Sequence, residues 1–411
     1  MSASSKKIFY KIYETNGTLL AESWDDASFN RFSKKINGGF GECVISLARP
    51  FDDFGENSDV RLNNRVEIYV WDKDVNSLLA GDEDGKKIYS GYISGYRPWI
   101  NESGKQGVDV ILLGYHTKFA VDILKNVAQT KLYTKATVGL TVTSGELAAA
   151  DGGHVMRAII EMYIAANTPA GGSYTEVINY NGGTSLATSS NIKYTFDAET
   201  YLAAIERVRQ MSPAGWYWYI DADNLFHFRA KPTTTTHYLY YQKHFVKIDV
   251  YKNMENIINN VLLDDGLGLA NYRGYNNALS QGEYGRRLLQ KSERYYGDTG
   301  TMDAEAANIL DTMSNPDIEI RLTLIDNNYN TKTAAGYDIE SIEVGDTVKI
   351  DGFANSIFEE GMVVKEFVYL KDRMELIVQP VKIGLFDNVM AIKRSQEINV
   401  SWDKLESYTE V

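Results

Sequence analysis

A pattern of three short strands occurs twice in this chain, and it constrains the fold more than any other feature. The first copy lies between Leu62 and Leu113. Arg65-Val66-Glu67-Ile68-Tyr69-Val70 alternates polar and apolar residues, Gly91-Tyr92-Ile93-Ser94-Gly95 follows, and Val108-Asp109-Val110-Ile111-Leu112 alternates again. The second copy is Asp346-Thr347-Val348-Lys349-Ile350, then Gly361-Met362-Val363-Val364-Lys365, then Met374-Glu375-Leu376-Ile377-Val378. Alternation with period two puts one face of each strand in a core. Each copy therefore predicts three antiparallel strands. A glycine is expected to open each middle strand, at a bend or a close backbone approach. Two such units in one chain point to a duplication.

Between the copies the period changes. Val155, Ile159, Met162, Tyr163 and Ala166 share one face of a predicted helix. A second helix is expected from its cap, Asp197, to Met211, stopped by Pro213. A third runs from about Asp303 to Met313, with Pro316 beyond it. Hairpins are expected at Ile8–Leu20, turning at Asn16-Gly17, and at Trp216–Arg229, turning at Asp221-Ala222-Asp223-Asn224. The chain is thus mainly β with an α+β insertion: two related antiparallel β units with a mixed α and β region between them. The expected boundaries are 1–118, 119–240, 241–385 with a helical insertion near 300–315, and a C-terminal tail at 386–411.

With 411 residues the length fits two or three domains. The net charge of −13 argues against wrapping nucleic acid by phosphate neutralisation and against an anionic membrane surface. The 28 tyrosines favour β structure and wet interfaces. Cys43 is the only cysteine, so no intrachain disulfide is possible, and it is expected as a small buried hydrophobe. No signal-peptide apolar region follows Met1, and no run of 18 apolar residues could span a bilayer. Synthesis and folding in a cytoplasm are expected.

No catalytic, cofactor-binding or metal-ligating set emerges. The five histidines form no HExxH or similarly spaced group, although His237 and His244 could meet across a turn. Asp221-Ala222-Asp223-Asn224 starts like a calcium loop, but Phe226 stands where the loop needs glycine. Gly266-Leu267-Gly268 lacks the third glycine of a dinucleotide fingerprint. The basic stretch before Gly38 lacks the Gly-Lys-Ser/Thr of a phosphate loop, and no GxSxG elbow is present. The chain is expected not to be an enzyme and to need no cofactor.

In Trp216-Tyr217-Trp218-Tyr219 the tryptophans share one face of a strand and the tyrosines the other. One face is expected in a core and the other at an interface. The segment after Leu385 keeps Phe386, Ile392, Ile398, Trp402 and Leu405 without clear periodicity. Trp216, Trp218, Phe386 and Trp402 are the partner-interface candidates. The competing reading is a cell-surface β protein that binds or cleaves glycans, with the aromatic run as a sugar-stacking platform.

Several stretches together resemble phage tail baseplate hub proteins. Ile36-Asn37-Gly38-Gly39-Phe40-Gly41 leading into a strand looks like the opening of those proteins, and Gly91-Tyr92-Ile93 like a strand that follows it. Ala203 to Arg229 resembles their middle segment, and Asn259-Asn260-Val261 the start of their second barrel. Tyr284-Gly285-Arg286-Arg287, then Asp303-Ala304-Glu305-Ala306, then Val344-Gly345-Asp346-Thr347-Val348 follow in the same order. The resemblance implies a structural virion protein at the tail tip, assembled in the host cytoplasm. It implies two related antiparallel β-barrel domains plus a middle α+β domain, and a homotrimeric, pseudo-sixfold ring that closes the tail tube. The implied partners are the distal tail protein, the tape-measure protein, a tail fibre or spike protein, and genomic DNA passing transiently through the lumen.

Overall fold

The computed structural model describes residues 6–23, 27–50, 59–72, 85–124, 150–167, 179–180, 191–192, 196, 199–232, 234–265, 272–292, 296, 298–326, 336–352 and 361–380. The first β unit comprises β1 (Lys6–Tyr13), β2 (Leu19–Ser23), β3 (Ala27–Phe29), β4 (Phe32–Lys35), β5 (Cys43–Leu47), β6 (Arg65–Asp72), β7 (Lys86–Ile100) and β8 (Gln106–Leu113). Seven of these form one sheet in the order β2-β1-β6-β7-β8-β5-β3. β3 at one edge comes back against β1 near the other, which curls the sheet.

The middle region holds β9 (Ala150–Asp151), α1 (Gly152–Asn167), β10 (Asn179–Tyr180), β11 (Asn191–Ile192), α2 (Tyr201–Gln210), β12 (Trp216–Ile220) and β13 (Leu225–Ala230). Val155, Ile159 and Tyr163 of α1 are buried, as their spacing predicts. α2 is capped by Thr200, whose hydroxyl accepts from Ala203 N. The expected cap, Asp197, lies outside the described residues.

The second β unit is β14 (His237–Tyr240), β15 (Phe245–Asn253), β19 (Asp317–Ile325), β20 (Thr347–Asp351), β21 (Met362–Tyr369) and β22 (Arg373–Pro380), in the order β14-β20-β21-β22-β19-β15. Between β15 and β19 come β16 (Asn260–Asp264), β17 (Arg273–Asn276), α3 (Ala278–Tyr284), β18 (Leu288–Ser292) and α4 (Thr299–Met313). A bridge from Tyr241 to Phe245 draws the two edges of this second sheet together. One strand breaks the antiparallel expectation, since β14 runs parallel to β20.

The two units match in register across five strands. Cys43 faces Leu112 on β5–β8 as Ile320 faces Val378 on β19–β22. Ala27 faces Leu47 as Phe245 faces Leu324. Arg65 faces Tyr92 as Thr347 faces Val363. Each middle strand carries a β-bulge against its third strand, between Ile93 and Gly95 and between Val364 and Glu366. On this mapping Ser94 corresponds to Lys365. Burial follows it: Val66, Ile68, Ile93, Val110 and Leu112 are buried, and so are Val348, Ile350, Val364, Leu376 and Val378.

The glycines do not mark the match. Gly91 sits inside β7, which begins at Lys86, whereas Gly361 directly precedes β21. Gly91 corresponds to Met362, one position past Gly361, and one position reverses the face of a strand. Neither glycine needs a left-handed backbone. A Cβ on Gly91 would run into the Leu113 carbonyl and the Tyr89 ring, so close approach is what selects glycine there.

Two cores result. One contains the inner faces of both β units. The other joins α1, α2, β12 and β13 to β16 and α4, with Val155, Ile205, Trp218, Val261, Ile309 and Met313 in one cluster.

Candidate functional site

The two β units and the middle region meet at a joint built on β4 and the turn after it. β4 belongs in sequence to the first unit but pairs with β21 of the second: Glu366 with Lys35, Phe367 with Lys34, Val368 with Ser33 and Tyr369 with Phe32. Phe32 stacks on Tyr369 with ring centroids 5.2 Å apart and meets Phe40 and Tyr89 edge-on at 5.7 and 5.3 Å. The chain then turns at Asn37, whose φ of 53° is left-handed. Asparagine tolerates that conformation better than most residues.

From this turn the backbone reaches both other parts. Ile36 N donates to Lys365 O at 2.9 Å, and Asn37 N donates to Trp218 O at 2.6 Å. Gly38 forms a parallel bridge with Tyr219, and Ile220 N donates to Gly38 O. A Cβ on Gly39 would press on the His116 imidazole and Ile220. The stretch Ile36-Asn37-Gly38-Gly39-Phe40-Gly41 is therefore where three parts of the fold are stitched together.

Buried charges lock the same joint. Lys6 of β1 is ion-paired with Asp326, and its ammonium donates to Glu340 at 2.6 Å. Tyr369 donates to Glu340 at 2.6 Å, and Lys86 donates to the Glu340 carbonyl. Lys34 is buried, donates to Glu343 at 2.7 Å and lies over the Phe40 and Tyr219 rings. Burial alone would lower the Lys6 pKa, but Glu340 and Asp326 outweigh it and hold it above the ordinary lysine value. These residues escaped the sequence reading, because partners far apart in the chain leave no local pattern.

β12 lies between the two cores. Tyr217 and Tyr219 face the core of the β units, and Tyr217 OH donates to Gly345 O at 3.1 Å. Trp218 faces the other core and is 0% exposed. Its indole donates to Glu206 at 2.7 Å, and Glu206 also accepts from Arg209. Trp218, one of the expected interface residues, is thus covered by the chain's own residues. Trp216 is half-buried on Phe228. Phe386 and Trp402 lie outside the described residues.

A cleft of about 400 Å³ opens beside the joint, lined among others by Lys35, Asn37, His116, Leu202, Arg321 and Lys365. Burial pushes the His116 pKa down to about 4, and nearby Lys35 adds to the effect. Its Nδ1 is buried without a hydrogen-bond partner. Elsewhere, His237 bonds Tyr337 OH at 2.8 Å and Asp346 at 3.0 Å, and the His244 ring lies 5.1 Å from that of Tyr337. The two histidines meet through a tyrosine. Asp221 closes its hairpin turn by accepting from Asp223 N and Leu225 N. Among the described residues no group of three or more His, Cys, Asp or Glu is placed to hold a metal ion, and no helix is long and apolar enough to cross a membrane. What the joint does physically is fix two matched β units in one relative position.

No protein-family model matches this chain, and no curated protein matches it in sequence. Solved structures do match in fold. The 43 kDa tail protein of prophage MuSo2 from Shewanella oneidensis superposes with a TM-score of 0.55 at 10% identity, covering 91% of this chain and 98% of that one. A tail protein from Neisseria meningitidis MC58 gives 0.54 at 9% identity, over 92% and 96% of the two chains. Prophage tail protein gp18 from Listeria monocytogenes EGD-e gives 0.51 at 9% identity, over 95% and 99%. Across nearly its whole length, this chain has the fold of phage tail proteins.

Proposed function

We propose that this chain is a structural, non-enzymatic hub of a phage tail tip. Three copies form a pseudo-sixfold ring that closes the tail tube. The distal tail protein docks above it, the tape-measure protein inside it, and a fibre or spike protein beyond it. Genomic DNA passes through only transiently. The net charge of −13 suits a passage that must not hold a phosphate backbone. The segment 386–411, with Phe386 and Trp402, serves as an adaptor toward a neighbouring tip protein.

One observation carries this reading: five strands of each β unit match in a single register, and the joint holds the two units as a fixed pair. A sixfold tube offers six equal docking surfaces. A trimer meets all six only if every chain brings two similar units. The shared fold with solved tail proteins supports the same role. The glycan-binding reading loses its platform, because Trp218 is inside a core. Native mass spectrometry of the purified chain tests the proposal. A trimer is expected, and a species that stays monomeric at every concentration overturns it.

A further inference from the structure

The cleft beside the joint belongs to one β unit only. Its floor is a row of side chains across the outer face of the second sheet. Arg321 faces Ile377, Ile377 faces Glu366, and Glu366 faces Lys35 of β4. On the register that the two units share, Arg321, Ile377 and Glu366 correspond to Val44, Ile111 and Gly95. The first unit therefore has none of these charges and, among the described residues, no strand in the place of β4. The walls of the cleft come from the 3-10 helix Tyr115–Ala120, with His116, and from α2, with Leu202. The His116 imidazole has no hydrogen-bond partner among the described residues, and its Nδ1 is sealed against Gly39. A sealed N–H without an acceptor is the costlier arrangement, so the proton is assigned to Nε2, on the ring edge that opens on the cleft. Burial, and after it Lys35, hold the His116 pKa at about 4, so a neutral donor points into the cleft at pH 7. A Cβ on Gly38 would touch both the Lys35 stem and the His116 ring, which places these two groups side by side.

We propose that this cleft binds an acidic peptide segment of a partner protein, one segment per chain, with a carboxylate held by the Lys35 ammonium and His116 Nε2. Charge favours an anion there. Lys35, Arg321 and Lys365 line the cleft, against Glu206, Glu319 and Glu366. Glu206 is already held by Arg209 and the Trp218 indole. Three cations thus face two carboxylates, a local positive excess in a chain whose total charge is −13. Hydrogen bonds from charged donors are the strong ones, so a carboxylate gains most from this corner. The rest of the lining suits a polypeptide. Ile377 and Leu202 offer an apolar side chain somewhere to rest. Glu319 and Glu366 accept from backbone N–H groups, whereas they would repel a run of phosphates. The volume of about 400 Å³ is that of a ligand pocket. A bound segment would touch β4, the second sheet and α2 at once, and so brace the joint.

Fluorescence anisotropy on the full-length chain at low salt tests this, with a short labelled peptide of alternating Glu and Leu. That peptide is expected to bind at least about tenfold more tightly than its Gln–Leu counterpart. Lys35→Gln, on an exposed residue, and His116→Phe are each expected to weaken it at least about fivefold. Arg286→Gln, on an exposed residue outside the cleft, is expected to leave it unchanged. Zero-length carbodiimide coupling on the wild type needs no variant to fold. It is expected to join the peptide to Lys35 or Lys365, as read by peptide mapping. Absence of binding, equal affinity for the Gln–Leu peptide, tighter binding of a single-stranded oligonucleotide, or coupling spread evenly over exposed lysines such as Lys105 and Lys252 would overturn the proposal. None of these readouts depends on the ring: a monomeric chain that binds the peptide in this way overturns the ring alone.

Discussion

Asn63 and Gly345 do the same work in two different turns. Both are left-handed, with φ of 70° and 84°, and each donates its N–H to the strand opposite at 2.8 Å, to Ile93 O and to Val364 O. Each turn is closed by a return bond of 2.9 Å, from Ile93 N to Asn64 O and from Val364 N to Asp346 O. Such agreement between backbone details extends the match between the units beyond their strands.

The two turns should respond differently to mutation. At Gly345 a Cβ would run into the Tyr217 ring, and the left-handed backbone adds its own strain. Gly345→Val is expected to cost at least about 2 kcal/mol. Asn63→Gly relieves the same backbone and should stay within about 0.5 kcal/mol of wild type. Denaturant unfolding reads both. A Gly345→Val protein as stable as wild type would contradict this account of the turn.

Removing Lys6 leaves Asp326 and Glu340 buried without their cation. Lys6→Met is expected to cost on the order of 3–5 kcal/mol. The folded pKa is raised, so the lysine's contribution is complete below its ordinary value of 10.5 and is lost as pH climbs through the raised value. The wild type should therefore lose stability in strong alkali more steeply than Lys6→Met does. Parallel slopes for the two proteins would mean that the ion pair adds nothing.

The turn at Asn37 should hold β12 in place. Asn37→Val forces a β-branched residue into a left-handed backbone and removes the side-chain oxygen that accepts from Trp218 N at 3.3 Å. A cost of about 2 kcal/mol is expected. The local signature is faster hydrogen exchange at the Ile220 amide, which donates to Gly38 O. Unchanged protection there would show that the stitch is dispensable.

His116 should make the fold acid-sensitive. Its folded pKa of about 4 lies below the ordinary 6.5, so its contribution is present above pH 6.5 and is lost as pH falls through 4. The loss is on the order of 1–2 kcal/mol, because one side of the ring is open to the cleft. His116→Phe should flatten stability across that window in urea titrations at several pH values. A wild type that is flat between pH 6.5 and 4 would remove the argument.

Much of this fold was legible in the chain because burial on one face writes itself as alternation. Val66, Ile68, Val348 and Ile350 announced their strands, and the α1 face announced its helix. The cap of α2 was misplaced by three residues because Asp197 and Thr200 are both good capping residues. Close approach is what both Gly91 and Gly361 mark, but they sit one position apart in the two units, because register is marked by a bulge that exists only once a partner strand is in place. Trp218 misled because alternation says that two faces differ, not that one chain covers both. The ion-paired joint was invisible: Lys6 and Glu340 stand 334 residues apart, and each alone looks like a surface charge. Only the Asn37-Gly38-Gly39 turn hinted that something special occurs there.

Direct imaging of the purified full-length chain tests the central claim most sharply. The account predicts ring-shaped particles with threefold symmetry and six similar lobes, two per chain, around an open centre. Class averages showing only single two-lobed particles, or closed assemblies of another symmetry, would contradict it.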